Sequence, residues 1–183
     1  IQTGQLKRLI LQMPPRFGKS VLTSEHFPSW YMAKNPGSDV ILTSATDDLA
    51  AEFSQSGMDL IREFGPSYFG VDLVKGKQSS HKWAISNGSE LRSAGVGGAI
   101  MGRGADLFII DDFFKNVEEA LSETKRRKIY QWYLSTARTR LSPEGAIVII
   151  ATRWHKEDLI GKILKTAEIT GEEWEVISMP ALD

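Results

Sequence analysis

Two kinds of hydrophobic pattern alternate along this chain. Short, nearly continuous apolar runs occupy residues 6–13, 40–43, 107–110 and 146–151. Such runs, bounded by turn residues, predict strands buried on both faces. Between them lie longer segments with apolar residues at helical spacing, over 19–34, 47–64, 117–139 and 157–166. Pro28 predicts a kink or break midway through the first helix, and Asp47 or Asp48 is expected to cap the second. Residues 65–80, with Gly65, Pro66, Gly70 and Gly76, read as a loop. Residues 81–86 and 89–93 read as a hairpin joined by Asn87-Gly88. Pro143-Glu144-Gly145 reads as a turn into the fourth buried strand, and residues 174–179 as a final strand. Buried strands alternating with helices predict an α/β domain over 1–183, with a mainly parallel sheet and helices on both faces.

Composition narrows the class. With 42% hydrophobic and 25% charged residues, the 183-residue chain has material for one sizeable core. No run approaches the roughly 18 apolar residues of a membrane helix, so no membrane contact is expected. A net charge of −1 gives no global attraction to nucleic acid, so any DNA contact must come from local basic patches. The absence of cysteine excludes disulfides and thiolate metal sites and fits a reducing compartment. The three histidines are scattered and lack metal-ligand spacing. The start, Ile-Gln-Thr-Gly, has neither an initiator Met nor a signal-peptide layout, and the chain reads as a piece of a longer one.

Candidate chemistry begins where the first strand ends. After Met13-Pro14, the segment Pro15-Arg16-Phe17-Gly18-Lys19-Ser20-Val21 opens a helix. That strand–loop–helix context suits an anion: backbone N–H groups and the helix N-terminus face phosphates, the lysine reaches the outer ones, and the serine hydroxyl holds Mg²⁺. Only the second half of the pattern G-x-x-x-x-G-K-[ST] is present, because Met13 stands where the first glycine belongs. The plain alternative is a tight turn with an exposed lysine.

The third buried strand ends in Asp111-Asp112. At the C-terminal edge of a parallel sheet, one carboxylate can orient a metal and its neighbour can polarise water. Asp111 is the candidate for the metal and Asp112 for the water, with Glu118 or Glu119 as alternatives reaching back from the next helix. The competing reading is a pair of solvated acids capping that helix. Thr152, with Arg153 second, ends the fourth strand where a polar group can sense a γ-phosphate. Arg16 in the loop is a candidate donor to the γ-phosphate of its own or a neighbouring subunit's nucleotide, and Arg103 in the glycine-rich stretch 95–104 to a neighbour's nucleotide or to DNA. Lys125-Arg126-Arg127-Lys128, Arg138 and Arg140 are candidates for phosphate-backbone contact, although charged helix faces are usually only solvated.

Taken together, Pro-Pro-Arg-Phe-Gly-Lys-Ser, Thr-Ser-Ala-Thr at 43–46, Gly-Val-Gly-Gly at 95–98, Gly-Arg-Gly-Ala-Asp at 102–106, Ile-Ile-Asp-Asp at 109–112 and Ala-Thr-Arg-Trp-His at 151–155 resemble the large terminase subunit of tailed bacteriophages, in its N-terminal ATPase domain. The resemblance implies a P-loop NTPase of the branch with an extra strand between the phosphate-loop and acidic strands (ASCE). It implies ATP and Mg²⁺ as cofactors, with Pro15, Arg16, Phe17, Gly18, Lys19, Ser20, Val21 and Thr152 around the nucleotide, and with Ser20 and Asp111 on the metal. Catalytic roles fall to Asp112, Arg16, Glu118 and Glu119. Implied partners are double-stranded DNA, a portal protein, a small terminase subunit and further copies in a ring, commonly of five, acting in the host cytoplasm at the procapsid. The family's RNase H-like nuclease is expected beyond residue 183, so no nuclease activity is expected here. Two departures stand out: Asp112 occupies a position often held by Glu, and Arg16 lies two residues before Gly18 where several members have three.

Overall fold

The computed structural model describes residues 1, 4–98, 100 and 104–179. Its centre is an eight-stranded sheet made of β1 (Arg8–Gln12), β2 (Asp39–Ser44), β3 (Leu73–Ser79), β4 (Lys82–Ile85), β5 (Glu90–Gly95), β6 (Ala105–Asp111), β7 (Leu141–Ala151) and β8 (Glu175–Ser178). The strand order is β3-β4-β5-β2-β6-β7-β1-β8. β4 runs antiparallel to both neighbours, while the pairs from β5 through β8 are parallel. β7 therefore lies between the phosphate-loop strand β1 and the acidic strand β6, as the resemblance implies.

The apolar runs work as expected of strands covered twice. Along β2, β6 and β7 successive residues alternate between two cores. Ile41, Phe108, Ile110, Ile147 and Ile149 face one, and Val40, Leu42, Leu107, Ile109, Val148 and Ile150 face the other. Each fully buried aliphatic side chain contributes about 1.5–3 kcal/mol relative to exposure, so these three strands anchor the fold. On the second face lie α1 (Phe27–Lys34), through Met32, and α2 (Asp47–Phe69), through Met58 and Ile61. On the first lie α3 (Val117–Leu121), α4 (Glu123–Trp132) and α6 (Leu159–Thr170), through Ala120, Ile129, Trp132, Leu159 and Ile163, while the short α5 (Arg138–Arg140) buries no residue.

Several boundaries differ from the sequence expectation. Pro28 does not break the first helix. A π-helical turn at Val21–His26 leads directly into α1, whose second residue is Pro28, so the helical stretch runs on past the proline with a π irregularity just before it. Thr46, not Asp47 or Asp48, caps α2, its hydroxyl accepting from the Leu49 N–H at 3.1 Å. α2 passes Gly65-Pro66 and ends only at Gly70 in the left-handed region. Residues 73–79 form the polar edge strand β3 rather than a loop. The helical stretch after residue 117 restarts at Ser122, whose hydroxyl caps α4, and ends in a π turn at Tyr133–Ala137 before α5. Pro143-Glu144-Gly145 does not turn the chain either. β7 bulges through it, its pairing with β6 stepping from Leu141 opposite Ala105 to Ala146 opposite Leu107. A Cβ on Gly145 would meet the Ala105 carbonyl at 2.6 Å, so the bulge requires glycine.

Candidate nucleotide site

Parallel pairing brings the C-terminal ends of β1, β7, β6 and β2 together, and the candidate residues gather there. In register, Ser44 stands opposite Asp111, and Asp111 opposite Ile150, with Thr152 just beyond the end of β7. The loop from β1 turns through Arg16 (φ 68°) and Gly18 (φ 75°) before the chain becomes helical at Lys19. Gly18 takes this left-handed conformation without strain, whereas Arg16 bears a modest cost there.

Lys19 is only 7% exposed. Its ammonium donates to Asp112 Oδ2 at 2.6 Å and to Thr152 Oγ1 at 3.3 Å. Asp112 Oδ1 accepts the Thr152 N–H at 3.2 Å, and the Asp112 N–H donates to the Ile150 carbonyl at 2.8 Å. These bonds hold Asp112 at φ 48°, a conformation that costs a non-glycine residue free energy and often marks functional positions. The Thr152 hydroxyl donates in turn to the Met13 carbonyl at 3.3 Å, tying the end of β7 to the loop after β1.

Asp111 is buried, at 1% exposure. Burial pushes its carboxyl above the ordinary value, and the adjacent Asp112 charge adds to this. The hydroxyls of Ser24 and Ser20 and the Lys19 charge oppose the rise. The Ser24 hydroxyl donates to Oδ2 at 2.6 Å. Asp111 Oδ1 and the Ser44 hydroxyl opposite it are buried without a hydrogen-bond partner among the described residues. A buried carboxylate oxygen left without a partner suits a hard divalent cation that takes oxygen ligands and retains water, such as Mg²⁺. Among the described residues no group of three or more His, Cys, Asp or Glu could hold a metal ion.

Other candidates are placed differently. Pro15, Arg16 and Phe17 are exposed at the mouth of the site, Phe17 by 53%, and Val21 is exposed beside them. Arg16 has no ion-pair partner among the described residues. Arg103 lies outside the described residues. Glu119 is turned away from Lys19: its carboxylate accepts the Lys115 N–H at 3.2 Å and the Lys125 ammonium at 3.1 Å. Burial would raise its carboxyl, but these donors outweigh burial and hold it below the ordinary value, which makes it a weaker base. Glu118 is exposed in the first turn of α3. Arg153 turns from the site to pair with Asp158 at 2.6 Å. Of the basic residues, Arg126 is buried and donates to the Ala120 carbonyl at 2.7 Å, and Arg138 is engaged by Glu172. The run at 125–128 is thus not one free basic face. Sequence reasoning misses Ser24, since a lone serine inside a helix carries no signal of its own.

The fold has counterparts among known families and structures. The family model described as terminase large subunit, T4likevirus-type, N-terminal matches residues 10–182. No curated protein sequence matches. The large terminase of bacteriophage HK97 superposes with a TM-score of 0.66 at 12% identity, covering 93% of this chain and 34% of that one. The large terminase ATPase domain of Thermus phage P74-26 gives a TM-score of 0.61 at 16% identity over 80% of this chain and 60% of that one. A large terminase from another thermophilic bacteriophage gives 0.60 at 11% identity over 96% and 40%. At these identities the structural likeness establishes the fold, and the chain spans about a third of the length of the HK97 protein.

Proposed function

The chain belongs to the family of terminase large subunit N-terminal domains of the T4-like-virus type, and from that premise we propose that it is an ATPase motor domain that hydrolyses ATP to drive double-stranded DNA into a procapsid. The observation that carries the proposal is the convergence of Lys19, Asp112 and Thr152 within 3.3 Å contacts, beside a buried Asp111. Lys19 and the N–H groups of the loop hold the β- and γ-phosphates. Pro15, Arg16, Phe17, Gly18 and Val21 line the approach, with Arg16 free to reach a phosphate of its own or a neighbouring copy's nucleotide. Ser20 and Asp111 would hold Mg²⁺. When bound, that ion neutralises charge on the transferring phosphoryl group.

Asp112 orients the attacking water and accepts its proton, since one of its oxygens is fixed by the Thr152 N–H and the other becomes available once Lys19 turns to phosphate. Glu118 and Glu119 are the less suited bases, Glu119 being engaged with Lys125. Thr152 touches both Lys19 and the loop carbonyl of Met13, so departure of the γ-phosphate would be felt at the end of β7. The larger assembly, with DNA, portal, small terminase subunit and a ring of copies, belongs to the same proposal. So does the reading of 1–183 as one ATPase domain without nuclease chemistry.

The test is phosphate release by the full-length protein, supplied with DNA and portal, beside Lys19→Ala. Loss of release by about a hundredfold or more in the variant is the expected result. Equal release in both would remove Lys19 from the mechanism. No release by the wild type would favour a non-catalytic docking module.

A further inference from the structure

The π-helical turn Val21–His26 directly follows Ser20, and within it Ser24 is completely buried. Ser20 immediately precedes the turn and Ser24 lies within it, beside the end of β6. Both hydroxyls act to lower the pKa of the Asp111 carboxyl against its burial. Ser24 donates to Oδ2 at 2.6 Å, while Oδ1 has no partner among the described residues. The turn is itself pinned, because the Thr23 hydroxyl donates back to the Lys19 carbonyl at 2.6 Å. π turns inserted in a helix frequently occur at functional sites, where they aim a side chain that a regular helix would point elsewhere.

We propose that Ser24 is a positioning residue for the metal-orienting carboxylate. By donating to Oδ2 of Asp111, it fixes the carboxylate in one rotamer and leaves Oδ1, which has no hydrogen-bond partner among the described residues, as the open acceptor. An ionised carboxylate only accepts hydrogen bonds, so a hydroxyl is the smallest neutral side chain that serves here without adding a competing charge. The Ser24 hydroxyl reaches neither the loop nor Lys19, and its effect passes through Asp111. Loss of an outer partner of a metal-binding side chain typically weakens metal affinity about 10–100-fold. This inference rests on the reading of the site as a Mg²⁺–nucleotide site.

The experiment is equilibrium binding of ADP to the full-length chain as Mg²⁺ is titrated, with thermal unfolding recorded for each protein. Ser24→Ala is expected to raise the Mg²⁺ concentration needed for half-maximal effect by about tenfold. ADP affinity without Mg²⁺ should be unchanged, and Ser24→Thr, which keeps the hydroxyl, should stay near wild type. Equal Mg²⁺ requirement in wild type and folded Ser24→Ala would overturn the proposal. So would an equal loss of ADP affinity with and without Mg²⁺, which is the mark of a purely structural serine. If Ser24→Ala does not fold, Ser24→Cys, with a weaker donor, is expected to show an intermediate Mg²⁺ requirement, and a wild-type requirement there overturns the proposal. A wild-type protein that binds ADP without any Mg²⁺ dependence overturns the metal-site reading and this inference together.

Discussion

The Lys19 ammonium and the Asp112 carboxylate are joined at 2.6 Å, with the lysine side chain 8% exposed and the aspartate 35% exposed. The group proposed for phosphate and the group proposed for water therefore contact each other directly. On the proposed reading, nucleotide draws Lys19 away and the same movement frees the acid.

Asp112→Asn should consequently separate binding from chemistry. Its amide oxygen can still accept the Thr152 N–H, but Lys19 loses its counter-charge and is left nearly buried. Nucleotide affinity is expected to rise several-fold while kcat falls by about a hundredfold or more. Thermal stability without nucleotide should drop, since breaking a largely buried pair leaves one charge uncompensated, and should recover on nucleotide addition. Calorimetric binding beside phosphate release reads both effects. A variant that binds nucleotide more weakly would mean that Asp112 orients Lys19 rather than competing for it.

Thr152→Val preserves shape but removes the hydroxyl that accepts from Lys19 and donates to the Met13 carbonyl. Both contacts are 3.3 Å, so each is modest. A loss of about 1.5 kcal/mol in transition-state stabilisation corresponds to roughly tenfold in kcat/KM. Steady-state kinetics with and without DNA would show it. Unchanged kinetics in both conditions would remove Thr152 from the coupling role.

How much of this site is legible in the sequence depends on where each residue stands. Lys19, Asp111 and Thr152 are readable because each ends or follows a buried apolar run, and parallel strands bring such ends to one edge. Ser24 is not, because its role arises from a π turn that leaves no periodic trace. Glu119 looks available in sequence, yet α3 turns it toward Lys115 and Lys125, which capture it. The same limits apply to the fold. The buried strands announce themselves, whereas β3, with Lys75, Gly76, Lys77, Gln78 and Ser79 exposed at the sheet edge, carries no apolar pattern to read. Gly145 signals a turn by composition but serves a close approach of β7 to the Ala105 carbonyl.

Asp158 stabilises the segment that follows Thr152. It is wholly buried, Oδ2 accepting Arg153 Nε at 2.6 Å and Oδ1 accepting the Gly161 N–H at the start of α6 at 2.9 Å. Asp158→Ala removes a helix cap and strands a partly buried guanidinium, together about 3 kcal/mol. For a domain of this size that lowers Tm by roughly 6–12 °C. Differential scanning calorimetry measures it, and a shift within about 2 °C would show that water replaces both bonds.

Glu172 offers a pH test of the opposite end of the sheet. Its carboxylate accepts Arg8 Nε at 3.0 Å, Arg138 through both Nη atoms at 3.0 and 3.1 Å, and Trp174 Nε1 at 3.1 Å. Burial raises the carboxyl, but the donors from Arg8 and Trp174 and the charges of Arg138 and Arg8 outweigh it, so the net shift is downward. A carboxyl whose folded pKa is depressed stabilises the fold above its unfolded value, about 4.3, and loses that contribution as pH falls through the folded pKa. Glu172→Gln is therefore expected to cost about 1–2 kcal/mol at neutral pH. The gap between wild type and variant should narrow as urea unfolding is repeated from about pH 7 down to about pH 3. A gap that stays constant over that range would assign the effect to the amide N–H₂ that replaces one acceptor oxygen rather than to the lost charge.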